Sequence, residues 1–532
     1  MNSGTAHQPR FLHRLPLDAA VVSLFLAAVL LIETIAILAL NNGRFIYTLD
    51  DPYIHLAVAE NLARAGHYGV NTTEVSSPCS SALWPFLLVP FAGLPIFEFV
   101  PLFLNITAGF ATAILVLGRV RKWISAERSD LKGQILRAAV VGGFLLGTNI
   151  IGLVFTGMEH SLQVLLALMA VEGMLRITEG NPPGVWFAAA LILGPWIRYE
   201  NMAITAPSLA FCFLLGHRRL TFTAGFTLCA GLLLFGFYLT RLGLDPLPSS
   251  VAAKSTLAGD STAMGLLTNL KNSLEFGRGM LVAIATSLLV GFGLAWRGPK
   301  HWRWFCVSLA TAGFLHLIAG AYGWLHRYEI YILAALALSL ASVVAAFLNV
   351  SGFSPSRRLG WLVLPLLPVI GFPYLTGLLN LPLAANNIYE QQFQMHCFAT
   401  NHWKKPVAVN DLGWVAFRNP DHVLDLWGLA SPAALKARLA DADPAWMEAL
   451  ANDQNVEVVM IYRDWFPKLP KDWREVAVLR LSRKSIISGP KVTFYATKPE
   501  SIPAIQRSLL SFQNDLPRPE MLEILVHRQT ER

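Results

Sequence analysis

Two adjacent carboxylates, Asp50 and Asp51, stand just past a long apolar run, with no Lys or Arg between Thr48 and Asn61. Neighbouring like charges raise each other's pKa, so the pair costs more than a single acid. One carboxylate near an acceptor hydroxyl is enough for general-base work, and a second can orient it or bind a cation. The alternative is helix capping: Pro52 can open a helix, and an acid at a helix N-terminus is favoured by the dipole. Residue chemistry leaves both readings open.

Three cations stand on the same side of a membrane: Arg198, Arg327 and Lys254. Arg and Lys near a bilayer are expensive unless paired or used. Each has a structural alternative: Arg198 could pair with Glu200 or Glu159, Arg327 could snorkel from a helix end, and Lys254 could simply be solvated. Glu159 and His160 either touch a ligand or cap a turn. His55 could assist proton transfer or ligate a metal, although a lone His one turn into a helix more often faces solvent. Glu33, midway along the first apolar run, should face a helix bundle rather than lipid.

The elements that position these residues follow from composition. Of the 532 residues 54% are hydrophobic and only 14% charged, where soluble chains carry roughly a quarter. Apolar runs of about 20 residues recur between 19 and 380, each long enough to cross a bilayer. Candidate spans lie near 19–40, 98–118, 138–156, 160–177, 221–240, 278–296, 303–322, 330–349 and 361–380. Residues 185–216 read as two helices meeting at the polar stretch Arg198-Tyr199-Glu200-Asn201. Between 81 and 118, breaks at Pro90, Pro95 and Pro101 favour one full span plus a partial one. The expected fold is a polytopic α-helical membrane protein of roughly eleven spans with a C-terminal external α/β domain.

The formal charge of +8 sits in short loops. That suits a positive-inside topology, not a nucleic-acid surface, and no nucleic acid is expected as a partner. The basic clusters are Arg10 to Arg14, Arg119 to Lys122, His217 to Arg219, Arg297 to Arg303 and Arg357-Arg358. They leave 41–80, the Gly157 to His160 turn, 241–277, the Tyr322 to Tyr331 region and the tail from about 383 on the external face. We expect a transmembrane domain over 1–382, with 41–80 as its first external loop, and an external domain over 383–532. That tail carries short strands near 407–409, 423–426, 456–461, 476–481 and 492–495, with a helical pattern over 433–450. Residues 53–65 pattern as a short helix lying at the interface. Cys79 and Cys397 fall on one side and are candidates for a disulfide. Asn71-Thr72-Thr73 matches the glycosylation pattern by chance. Walker A, GxGxxG, HExxH and paired CxxC motifs are absent, which argues against an ATP-driven pump.

A series of short motifs carries a resemblance. Leu49-Asp50-Asp51-Pro52-Tyr53-Ile54, Ala59-Glu60-Asn61-Leu62, Ser76-Ser77-Pro78, Thr156-Gly157-Met158-Glu159, Arg198-Tyr199-Glu200-Asn201, Leu247 to Lys254, His326-Arg327-Tyr328, Asn410-Asp411-Leu412-Gly413 and Val423 to Leu429 occur in the order found in the GT-C superfamily. Together they resemble the branch of mycobacterial terminal arabinofuranosyltransferases. Tyr199 and Asn201 replace that pattern's proline and glycine, and the stretch before Lys254 lacks its asparagine and aromatic.

The resemblance implies a bacterial plasma-membrane glycosyltransferase with its active site and C-terminal domain facing the periplasm. A polyprenyl-phosphate sugar would be the donor, and a glycan, lipid or protein the acceptor. It puts the base role on Asp51 or Asp50, donor-phosphate binding on Lys254, Arg327 and Arg198, and substrate contacts on His55, Tyr53, Asn61, Glu159, His160 and Glu200. No cofactor is fixed by it, and a divalent cation is a candidate. The alternative class, a transporter or flippase of lipid-linked sugars, predicts matching broken helices in two halves. Only one polar-broken segment, 195–201, is seen.

Overall fold

The computed structural model describes residues 16–72, 74–124, 130–254, 262–275, 277–350, 366–485 and 489–525; the side chains at 252–254, 262–263, 349–350 and 366–370 are outside the description. The chain is a multi-pass helical membrane protein with a C-terminal sheet domain. Among the described residues, seven helices are long and apolar enough to cross a membrane. Shorter helices, including Leu131–Gly147, Val185–Ile197, Met202–Leu214 and Leu366–Leu379, fill out the bundle. The basic clusters at 10–14 and 357–358, and part of the 361–380 run, lie outside the described residues.

The segment 81–118 resolves as the charge pattern requires. Trp84–Leu88 and the 3-10 turn Val89–Phe91 are too short to span, and one full span follows at Phe97–Trp123. The basic end of that span is held by acids from two other helices. Arg121 bonds Asp18 at 2.6 Å, Lys122 bonds Glu179 at 2.7 Å, and Arg119 bonds Glu172 at 2.6 Å. Asp18 opens the first helix, α1 (Leu17–Leu40), while Glu172 and Glu179 sit in and just past the last turns of His160–Thr178. These ends therefore share one side, and Asp50 lies past the opposite end of α1. Glu33 belongs to the buried stripe of α1, with Leu26, Leu30 and Ile37.

Residues 185–216 form the expected pair of helices, Val185–Ile197 and Met202–Leu214, joined by a 3-10 turn at Tyr199–Asn201. The helix α2 (Asp51–Ala65) departs from expectation. Every residue from Pro52 to Glu60 is buried, so it does not lie at a lipid interface. Protein covers it on all sides at its first turns, with the Tyr53 ring 4.0 Å from that of Trp414.

The C-terminal domain carries a six-stranded mixed sheet: β1 (Val407–Val409), β2 (Val423–Asp425), β3 (Val458–Ile461), β4 (Arg474–Arg480), β5 (Lys491–Ala496) and β6 (Leu522–Ile524). The order is β2-β1-β3-β5-β4-β6, with β2, β1 and β3 parallel and the rest antiparallel. β6 was not legible in the sequence. The helical pattern over 433–450 splits into Pro432–Leu439 and Ala445–Asp453. Side chains alternate across the sheet with the strand period of two. Val407, Val409, Val458 and Met460 join one core that runs on into the helical body, whereas Ala408, Leu424, Val459 and Ile461 build a second core on the other face.

Candidate functional site

Asp50 and Asp51 part company in the structure. Asp50 is buried and does not cap α2, the helix it precedes. Its carboxylate instead accepts the backbone N–H groups of Gly413 (Oδ2, 2.5 Å) and Trp414 (Oδ1, 2.8 Å). These belong to the four-residue helix Gly413–Ala416 of the C-terminal domain, so Asp50 bonds the start of a helix 363 residues away in the chain. Asp51 opens α2 with its side chain 20% exposed, and it accepts a bond from Arg327 Nη2 at 2.6 Å. Of the two acids, only Asp51 combines an opening to solvent with a cation.

Arg327 is buried, and its Nη2 also donates to the Tyr328 hydroxyl at 2.8 Å. Its Nε and Nη1 are buried without a hydrogen-bond partner among the described residues. Such groups normally find partners, and a charged donor without one calls for an explanation. The turn that presents Arg327 is strained. Trp324, Leu325 and His326 are consecutive non-glycine residues in the left-handed region, at φ 48°, 59° and 60°, each costing about 1–3 kcal/mol. It is held from below: Glu329 accepts Gly323 N–H at 3.0 Å and Arg278 at 2.9 Å, and Asn149 donates to the Leu325 carbonyl at 2.9 Å.

A second charged cluster adjoins the first through Tyr328, whose ring has Arg327 4.8 Å and Arg198 5.7 Å from its centroid. Arg198 is committed to two acids. It donates to Glu159 at 2.8 Å and Ser80 at 3.2 Å, and it forks onto Glu200. The structural alternative raised for Arg198 is therefore realised with both acids at once, and Arg198 brings little uncompensated charge to an anion. Glu159 is fully buried and makes no cap to its helix. Burial alone would push its pKa up, but Arg198 and His55 hold it below the usual carboxylate range. His55, expected to face solvent, is buried with Nε2 3.8 Å from Glu159. His160 packs edge-on to Tyr328, with centroids 6.0 Å apart.

Two residues expected to contact substrate act as braces. The Tyr53 hydroxyl is taken by the Tyr47 N–H at 3.2 Å, and Asn61 donates to the carbonyls of Gly69 (2.8 Å) and Val70 (3.0 Å). Lys254 ends a short helix, Ser249–Lys254, and its side chain lies outside the described residues. Cys79 and Cys397 are not joined by a disulfide, and Cys79 is buried against Tyr68. Asn71 is buried and grips β2, accepting the Val423 N–H at 2.9 Å and donating to its carbonyl at 3.1 Å. Among the described residues, no group of three or more His, Cys, Asp or Glu side chains is placed to hold a metal ion.

Glycine is required where the loop meets its neighbours. Gly157 has φ +66°, and a Cβ there would lie 2.7 Å from Tyr47 and 2.8 Å from Pro52. A Cβ on Gly413 would collide with the carbonyl oxygen of Asp50 and come within 2.7 Å of its carboxylate. Gly413→Ala should therefore part the two N–H bonds to Asp50, with a loss of about 1–3 kcal/mol. Chemical denaturation of the purified chain reads this directly, and an unchanged midpoint would contradict it.

Comparison with known proteins adds one family match, to a domain of unknown function (DUF8728) over residues 386–495. No curated protein matches the chain. Among solved structures the chain is similar to ArnT from Cupriavidus metallidurans bound to undecaprenyl phosphate, with TM-score 0.43 and 12% identity over 90% of this chain and 98% of that one. It is also similar to the Archaeoglobus fulgidus oligosaccharyltransferase in complex with Zn and sulfate, with TM-score 0.42 and 12% identity over 89% of this chain and 74% of that one.

Sequence reasoning quoted Tyr328 in a motif without a role for it, and missed Ser80 and the amides of Gly413 and Trp414. The Asn410-Asp411-Leu412-Gly413 motif was visible, but nothing local said that its amides would meet an acid from the first loop.

Proposed function

We propose that the chain is a membrane glycosyltransferase of GT-C type that moves a sugar from a polyprenyl-phosphate carrier to a cell-envelope acceptor. The observation that carries this reading is the joining of a solvent-reaching carboxylate, Asp51, to a buried arginine whose Nε and Nη1 have no hydrogen-bond partner among the described residues. Asp51 can take the proton of an acceptor hydroxyl. The hydroxyl oxygen then bonds to the anomeric carbon, and the bond from that carbon to phosphate breaks, leaving its electron pair on the phosphate. Inversion follows from this single displacement. Arg327 can meet the negative charge that develops, through donors already fixed in place. The resemblance of the loop motifs supplies the lipid-linked donor, since nucleotide sugars are not expected outside the cytoplasm. We place the active site and the C-terminal domain on the periplasmic side. Within this reading an arabinofuranose, or another pentose or hexose, is the transferred sugar.

Mass spectrometry of the lipid that copurifies with the full chain tests the class. A polyprenyl-phosphate sugar supports it, and a lipid set without polyprenyl phosphates counts against it. Arg327→Lys should weaken binding of polyprenyl phosphate about tenfold or more. A point charge on a flexible stem does not replace the planar fork, and hydrogen bonds to charged groups are worth about 1.5–3 kcal/mol. Equal affinity of variant and parent would remove Arg327 from the phosphate role.

A further inference from the structure

The turn that ends α1 meets the C-terminal domain around a cavity of about 380 Å³, a size usual for small-ligand sites. Asn41, Asn42 and Arg44 line it from the turn, and Phe393, Gln394 and Asp515 from the facing wall. Asn42 and Gly43 are both in the left-handed region, at φ 53° and 80°, and the turn they make carries the Arg44 guanidinium over the Phe393 ring, 4.6 Å from its centroid. That ring is fixed in turn by Tyr389, stacked at 5.5 Å, and by Trp414, edge-on at 5.0 Å. The neighbouring stretch Phe398–Trp403 is wound as a π-helix, a rare form that recurs at functional sites.

Three side chains of this cavity keep polar groups that the fold leaves unbonded. Gln394 is 4% exposed, yet its side-chain amide makes no hydrogen bond among the described residues. Asn41 is fully buried; its Oδ1 accepts Asn386 Nδ2 at 3.2 Å, while its own Nδ2 has no partner among them. The Arg44 side chain makes no ion pair or hydrogen bond there either, so its contact with the Phe393 face holds it while its N–H donors stay open. Buried polar groups in folded proteins are hydrogen-bonded as a rule, so Gln394 and Asn41 point to a partner that the chain does not supply. That partner must both donate and accept, because an amide does both and Arg44 only donates. An anion fits poorly, since it would face the Gln394 oxygen and the Asp515 carboxylate, which lies 3.3 Å from His402 Nε2. Hydroxyl groups fit, because each one donates and accepts.

We propose that this cavity is a second saccharide site, which holds one sugar ring of a neutral oligosaccharide by its hydroxyls. Asn41 and Arg44 donate to hydroxyl oxygens, and Gln394 takes a neighbouring pair, donating to one and accepting from the other. From the cavity to the acids of the first loop the contacts run through Phe393 to Trp414, whose ring packs on Tyr53 at 4.0 Å and whose N–H bonds Asp50. The site is thus lined by residues other than those around Asp51 and Arg327. The inference rests on the glycosyltransferase reading only for its purpose: a ring held here keeps a polymeric acceptor on the protein between transfers, which makes the acceptor a glycan.

The test is equilibrium binding to the full detergent-solubilised chain, read by titration calorimetry. The ligands are a panel of neutral oligosaccharides of pentoses and of hexoses, with inorganic phosphate and an oligogalacturonate as anionic probes. A neutral oligosaccharide should bind the parent, and the two anions should not. Gln394→Leu and Arg44→Met should each weaken that binding about tenfold or more, the effect of losing one or two hydrogen bonds. Arg44 is exposed, so Arg44→Met decides the matter even where Gln394→Leu does not fold. Asp51→Asn should bind the same oligosaccharide as the parent does. No binding by any neutral oligosaccharide, tighter binding of either anion, equal affinity of Arg44→Met and parent, or a loss confined to Asp51→Asn would each overturn the proposal. A copurified lipid set without polyprenyl phosphates would count against the glycosyltransferase reading instead, and the binding comparison would stand.

Discussion

Asp51→Asn should lower sugar transfer by about 10²–10⁴-fold, the span typical of removing a general base, while the protein still folds. Asparagine has nearly the shape of aspartate, and its amide oxygen can keep the bond from Arg327 Nη2. What it lacks is the basicity to take a proton near neutral pH. Asp50→Asn should behave differently, because Asp50 bonds two backbone amides and is closed to solvent. An amide group offers one acceptor oxygen where the carboxylate offered two, so one N–H is left buried without a partner, costing about 1–3 kcal/mol. Its transfer should fall by less than that of Asp51→Asn, and its melting midpoint by more. A transfer assay with labelled lipid donor, run beside thermal melting of both variants, separates the two roles. Full activity in both variants would sink the base assignment. A larger loss of transfer in Asp50→Asn at unchanged stability would reverse the roles.

The helical body was largely legible from the sequence, because apolar runs of bilayer length have one reading and the basic loops give them a common side. The single span within 81–118 follows from the same rule. The fate of Arg119, Arg121 and Lys122, each paired with an acid from another helix, agrees with it. The strands were legible to within a few residues where β-branched residues cluster, whereas Leu522–Ile524 is too short to register. The site was only half legible. Asp50, Asp51, Glu159, Arg198 and Arg327 stood out as candidates from the cost of placing charge near lipid. The acids that hold Arg198 were visible too, but the partners of Asp50 and Asp51 were not, because those contacts join residues far apart in the chain: Asp50 with Gly413 and Asp51 with Arg327. The misreading of α2 as an interfacial helix has the same origin. Its polar face, with His55 and Glu60, looks like a water face until Glu159, Arg418 and the C-terminal domain are placed against it.

Removing Arg198 tests how far the second cluster supports the first. Arg198→Met keeps the length of the side chain and deletes the charge. Glu159 would then be buried with the Ser80 hydroxyl and His55 and no arginine, and breaking a buried ion pair from one side costs about 3–5 kcal/mol. Glu200 suffers less, since its side chain is 30% exposed and can hydrate. The double variant Arg198→Met, Glu159→Gln should recover much of the loss, because the stranded charge is gone and the two sites are in direct contact. The pH dependence separates this from a simple packing defect. In the parent, Glu159 is held below its usual pKa, so it contributes stability above the unfolded value, and that contribution is lost as pH falls through the folded one. Without Arg198 burial dominates and the sign inverts: the variant should gain relative to the parent as pH is lowered toward about 4, where Glu159 can take a proton. Denaturation of parent, single and double variants at two pH values measures the coupling. Additive losses would mean that Arg198 and Glu159 do not act as a pair. A coupled loss that leaves polyprenyl-phosphate affinity intact would assign Arg198 to holding the Tyr328 wall of the site, leaving the phosphate to Arg327.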